Sequence, residues 1–246
     1  MFLFWILQQL KDLVTWCRNL FAKPAMNRYG WKRGLPHDHG KHYTVADRTA
    51  PLPAMTDMRA SMPPVYDQGQ LGSCTANATG GSVQYEQIHH GMANFAISRL
   101  FQYYNTRSLE GSTGYDSGGT IADAVKAVAT WGYCPETSWG YVVSRFKQKP
   151  PASCYTAAKA NELAKVDYAQ VAQNAYDIKS ALAAGNPIII GFTVYESFES
   201  QAVAKTGMMP MRMGPIITPL APQTMIPPTR AKNKTKSGIS TRLPMR

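Results

Sequence analysis

Long apolar runs are missing from this chain. The stretch from Met1 to Leu7 is broken at once by Gln8, Gln9, Lys11 and Asp12, far short of the roughly 20 residues that a membrane-spanning helix needs. It also lacks a basic leader and a small-residue cleavage site, so no secretory signal is expected. Cysteine is scarce: Cys17, Cys74, Cys134 and Cys154 are scattered and form no C-x-x-C pair, which excludes a disulfide framework and a zinc ribbon. A reducing, cytoplasmic setting is slightly favoured and the compartment stays open. Histidine is absent after His90, and acid is absent from 208–246.

That last absence explains the charge. The chain has 26 Lys+Arg against 15 Asp+Glu, formally +11, but seven of the basic residues lie in 208–246, leaving 19 against 15, or +4, on the first 207. The globular part is not polybasic, and a nucleic-acid partner is not expected. What remains is 246 residues, 44% hydrophobic, enough for a substantial core.

Four regions follow from composition and periodicity. Residues 1–23 hold Leu3, Ile6, Leu7, Leu10, Leu13, Val14, Cys17, Leu20 and Phe21 at three-and-four spacing, an amphipathic helix. Packing on the body or a second chain is favoured for its apolar face, with membrane-surface contact through residues 2–21 as the minority alternative. Residues 24–51 read as an extended lead-in strapped over a domain. The body, 52–207, carries helical patterns over Cys74–His90, Ser98–Thr106, Gly119–Trp131, Ala157–Lys165 and Asp177–Ala184. Asp177 is placed to cap the last, Gly185 to end it and Pro187 to prevent its continuation. A β-branched run from Pro187 to Tyr195 then reads as a buried strand,, so the class is α+β. Residues 208–246, with seven prolines and six methionines, read as a basic disordered tail.

The chemistry concentrates in Tyr66-Asp67-Gln68-Gly69-Gln70-Leu71-Gly72-Ser73-Cys74-Thr75. A cysteine after Gly-Ser at a helix start faces unpaired backbone amides and the positive end of the helix dipole, which favour a thiolate nucleophile. Gln68, on a glycine-flexed loop six residues earlier, is able to fold back and form an oxyanion hole with the Cys74 amide,. Taken alone, such a cysteine is more often an ordinary buried one.

The stretch Q-G-Q-L-G-S-C-T resembles the Q-G-x-C-G-S-C-W pattern of the papain family of cysteine peptidases. Leu52-Pro53 followed by Asp57-Met58-Arg59 is similar to the family's mature start, and Cys134-Pro135-Glu136 with Trp139 and Tyr141 resembles a later turn. Gly118-Gly119 resembles the glycine pair on which the family binds substrate as an extended strand. The resemblance runs from about Tyr29 to Phe198. It implies peptide-bond hydrolysis through a Cys74 acyl-enzyme, peptide or protein substrates, no metal and no cofactor. It also implies a papain-like fold with the helical domain largely present and the β-barrel-like domain mostly missing, leaving apolar surface exposed along Ile188–Phe192. Leu71 stands where secreted relatives have a disulfide cysteine, and Thr75 where they have tryptophan. Gly80 and Gly81 weaken the nucleophile helix by about 1 kcal/mol each relative to alanine.

The resemblance also implies a histidine base near 204–224 and an asparagine beyond it. Neither family motif is present. His89 lies fifteen residues along the Cys74 helix, about 22 Å away, and His90 fails for the same reason. His37, His39 and His42 fall in the lead-in without the rigid spacing of a metal site. Two explanations of the chain after Phe198 stay open, a frameshift or truncation and an evolved basic arm. Two functions stay open with them: a papain-like peptidase with little or no turnover, and a non-catalytic peptide- or partner-binding protein with a basic tail.

Overall fold

The computed structural model describes residues 29–34, 41–161 and 168–208, and the backbone of Thr224–Ile226. The expected helix over 2–21, His37, His39, and most of 208–246 lie outside the described residues.

Helix α1, Cys74–His89, is buried on nearly every face: Thr75, Ala76, Asn77, Thr79, Gly80, Ser82, Val83, Gln84, Tyr85, Glu86 and Gln87 are all inaccessible. A helix surrounded in this way has no amphipathic stripe and is held by its neighbours rather than by propensity. Gly80 faces the Tyr66 ring and Ile97, which lie 3.5 and 3.7 Å from where a Cβ would stand, ordinary contact distances. The neighbours are α2 (Arg99–Leu109) and α3 (Ile121–Trp131). Ser98 caps α2 by accepting from the Phe101 amide, and Thr120 caps α3 by accepting from the Asp123 amide, each interaction being worth about 1 kcal/mol. The core lies among these helices. One cluster joins Leu71, Ala76, Leu100 and Tyr103 under Trp139, Tyr141 and Phe146; another joins Val83, Ile97, Val128 and Tyr133.

Two helix boundaries differ from expectation. Helix α4 is Ala152–Ala160, five residues ahead of the expected Ala157 start, because Pro151 sits at its N-cap, where its fixed φ and missing N–H suit a helix entrance,. Helix α5 is Ala175–Ala183 with Asn174 as cap: the Asn174 side chain accepts from the Asp177 amide at 2.9 Å. Asp177 is therefore inside the first turn and not the cap. Gly185 does adopt the left-handed conformation beyond this helix, with φ +83°. A short α6, Gln201–Thr206, ends the continuous part.

The strands are very short. β1 (Trp31–Lys32) pairs in parallel with β3 (Gly119–Thr120). A four-stranded sheet has the order β2-β4-β6-β5, with β2 at Lys41–His42, β4 at Ala169–Gln170, β5 at Ile189–Ile190 and β6 at Thr224–Ile226. The β2–β4 pair is parallel, and β6 is antiparallel to both β4 and β5. This sheet takes one of its strands, β6, from 208–246. Thr224–Ile226 supplies the missing partner, so the exposed apolar surface expected along 188–192 is confined to Ile190, 57% exposed, while Ile189 is buried.

Candidate active site

Cys74 is the first residue of α1 and half-buried. The loop before it is braced from behind. Gly69 takes φ +56° and its amide bonds the Asp67 carboxylate at 2.8 Å; the Ser73 amide reaches the Leu71 carbonyl at 2.8 Å. Tyr141 donates to the Gln68 carbonyl at 2.9 Å, and its oxygen lies 2.5 Å from Ser73 Oγ. Arg99 holds the same loop: its Nη1 donates to the Asp67 carbonyl at 2.8 Å and Asn77 Oδ1 at 3.1 Å, Glu136 takes its other edge in two bonds, and its plane stacks 3.9 Å over the Tyr141 ring. Such a flat, bidentate role is specific to arginine.

The facing wall is the loop before α3. Asp116 joins the two walls, because its carboxylate accepts the Gly72 amide at 3.1 Å and the Tyr103 hydroxyl at 2.5 Å. The same hydroxyl accepts the Gly118 amide at 2.9 Å. Arg107, wholly buried, donates to the carbonyls of Thr113 and Tyr115 at 3.0 Å and to that of Phe146, and stacks 4.1 Å over Tyr103. Two residues absent from the sequence reading, Arg99 and Arg107, therefore shape the cleft together with Asp116. Asp116 stands two residues ahead of the Gly118-Gly119 pair. The arginines give no signal in one sequence, since nothing in an eleven-residue helix announces that a charge points inward.

The cleft between these walls holds the chain's own β1. The Gly119 amide donates to the Gly30 carbonyl at 2.9 Å. The fit leaves no room for a side chain: a Cβ on Gly30 would lie 1.9 Å from the Gly72 carbonyl oxygen, and one on Gly118 would lie 1.7 Å from the Gly30 oxygen. Gly118 also needs the positive φ, +72°, that glycine adopts freely,. Trp31 then packs against the cluster of Ile121, Ala122, Val125 and Ile189.

The backbone amides of Gly30 and Trp31 lie against the thiol. Burial pushes Cys74 upward from the ordinary thiol range, opposed by the backbone amides of Gly30, Thr75, Trp31 and Cys74 itself. Desolvation works against the anion, while the amides at the start of α1 and on the strand work for it,. Among the described residues no histidine acts on it. His89 stacks on Tyr85 at the far end of α1, and His42 lies in β2. Gln68 Nε2 donates to the Leu71 carbonyl at 3.0 Å. Among the described residues no group of three or more His, Cys, Asp or Glu side chains is arranged to hold a metal.

A helical domain whose central helix begins at a cysteine, facing a double-glycine ledge across a cleft, is the arrangement of a papain-type thiol peptidase. Residues 52–210 match the family described as papain family cysteine protease, and the chain belongs to that family. It is 42% identical over 152 residues to an uncharacterized peptidase C1-like protein of Acanthamoeba polyphaga mimivirus, covering 59% of this chain; the chain spans about half the length of that relative, 49%. Among solved structures it is similar to xylellain, a cysteine protease from Xylella fastidiosa, with 34% identity, TM-score 0.65 and coverage of 78% and 77% of the two chains. Digestive procathepsin L 3 of Tenebrio molitor shares the fold at 19% identity and TM-score 0.53, covering 68% of this chain and 52% of its own.

Proposed function

We propose that the chain is a papain-type thiol peptidase domain held latent by its own residues 29–34. The observation that carries this reading is the β1 backbone on the Gly118-Gly119 ledge, with its amides against the Cys74 sulfur. In a substrate complex Cys74 is the nucleophile: its sulfur attacks the scissile carbonyl carbon, the oxyanion is held by the Cys74 amide and Gln68 Nε2, and collapse of the adduct breaks the C–N bond and expels the amine, which takes up the thiol's proton. The acyl-enzyme is then released by water. Both steps need a group that moves a proton, and none of the described residues acting on Cys74 supplies one. Losing such a partner lowers turnover by several orders of magnitude, so peptide amides are hydrolysed slowly or not at all.

The test compares the full chain with Cys74→Ala on an activated aryl ester and on a peptide amide. An ester burst of one acyl group per chain that vanishes in Cys74→Ala, with negligible amide turnover, is expected. Equal acylation of the two proteins removes Cys74 as nucleophile, and brisk amide turnover reveals a base outside the described residues.

A second reading, a non-catalytic peptide-binding protein, is favoured by the same ledge, which holds an extended backbone by main-chain hydrogen bonds. Displacement of β1 by an added peptide with undiminished affinity in Cys74→Ala, together with no ester burst, selects it.

A further inference from the structure

We propose that Cys134 and Cys154 form a dithiol that exchange with a small-molecule disulfide converts to a cystine, tying the segment after α3 to α4. The inference does not depend on whether Cys74 turns over a substrate.

The two side chains pack in one buried cluster, close enough for each thiol to act on the ionisation of the other. Both side chains are fully buried, in one cluster with Phe101 and Ala158 beneath Trp131, Trp139 and Tyr155. Their positions are set from two sides. Cys134 lies in extended backbone, where its carbonyl accepts the Ser98 amide at 2.9 Å and its neighbour Pro135 bridges Ile97. Cys154 is in the first turn of α4, its Sγ 3.5 Å from the Ser138 carbonyl. Gly132 lets α4 approach, since a Cβ there would lie 2.4 Å from the Ala158 oxygen. The sulfurs are therefore neighbours because rigid elements place them so.

The exchange balances without a further reactant. The Cys154 thiolate attacks one sulfur of the added disulfide and expels a thiolate; the Cys134 thiolate then attacks the Cys154 sulfur and expels the second. One S–S bond breaks and one forms, two protons pass to the departing thiolates, the protein loses two electrons and the small disulfide gains them. Burial fixes the timing. It pushes Cys134 up to about 12 and raises Cys154 as well, so the folded chain holds little thiolate and the bond is set as the chain folds.

The bond would close a loop that carries much of the brace behind Cys74. Between the two cysteines lie Trp139, whose carbonyl accepts from Ser98 Oγ at 2.6 Å; Tyr141, which holds Gln68 and Ser73; and Phe146, whose carbonyl takes Arg107. A covalent tie across this loop removes entropy from the unfolded chain and leaves the folded contacts in place.

The test refolds the full chain in reduced plus oxidised glutathione, alkylates the remaining thiols and maps the peptides without reduction. A peptide joining Cys134 to Cys154 is expected, with a melting temperature about 6–12 °C above the dithiothreitol-treated sample, an increment absent from Cys134→Ala. The reduced wild-type chain is the folded reference if the variant does not fold. Recovery of both cysteines alkylated from a cooperatively melting chain overturns the proposal. So does linkage only to Cys17, Cys74 or glutathione, or the same increment in a folded Cys134→Ala.

Discussion

The amide of Gly119 donates a 2.9 Å hydrogen bond to the carbonyl of Gly30. Two glycines 89 positions apart thereby place the chain's own backbone in the cleft in front of Cys74. With the Gly72 carbonyl oxygen 1.9 Å from where a Gly30 Cβ would stand, any side chain at position 30 must expel the strand. Gly30→Val is expected to raise the rate of Cys74 alkylation by iodoacetamide at least tenfold while leaving the helical domain folded. An unchanged rate means that β1 does not cover the thiol in solution.

The chemistry of that thiol is checked by its pH profile. Because burial raises Cys74 and no histidine among the described residues acts on it, the reactive thiolate is a small fraction near neutrality. Alkylation is expected to speed up close to tenfold per pH unit between pH 7 and 9. A flat profile from pH 5 to 9 would require a cationic partner that stabilises the thiolate throughout.

Arg107 supports the ledge at the expense of a buried charge. Its guanidinium donates to the Tyr103 carbonyl one turn back and to the loop carbonyls of Thr113, Tyr115 and Phe146, with burial pulling it down from the usual arginine range. Arg107→Met leaves those loop carbonyls without a donor, and a loss of about 3–5 kcal/mol is expected in urea unfolding. A loss below 1 kcal/mol would show that water replaces the guanidinium.

Glu86 carries a pH-dependent destabilisation inside α1. Burial lifts it from 4.5 to about 7, although His90 Nε2 lies 3.1 Å from its Oε2, and its Oε1 has no hydrogen-bond partner. Below pH 4.5 the carboxyl is neutral folded or unfolded. Between 4.5 and 7 the unfolded chain releases a proton that the folded chain keeps, so stability falls across that window and stays lower above it. Glu86→Gln is expected to abolish this fall and to gain about 1–3 kcal/mol at pH 8, with little change at pH 4. Equal midpoints for the two proteins at pH 8 would mean that Glu86 ionises without penalty.

What the sequence by itself determined is local. The Gly-Ser step ahead of a helical run places Cys74 at the start of α1, Ser98 and Thr120 stand where helices begin, and Gly185 stands where one ends, because each of these choices is made by backbone hydrogen bonds within one turn. Even locally the reading slips where two residues compete: Asn174 and Asp177 both suit a cap, and only the register of α5 against its neighbours decides. Tertiary structure decided the rest. Strands of two residues, such as Lys41–His42 and Ala169–Gln170, are too short to show a period of two and exist only because remote backbone meets them. Thr224–Ile226 joins a sheet across a compositional break for the same reason. Whether Arg107 is buried, whether Cys134 meets Cys154, and whether Gly30 fills the cleft before Cys74 depend on chain segments that are distant in sequence. Contacts of that kind are chosen by packing of the whole chain, which no residue's neighbours encode.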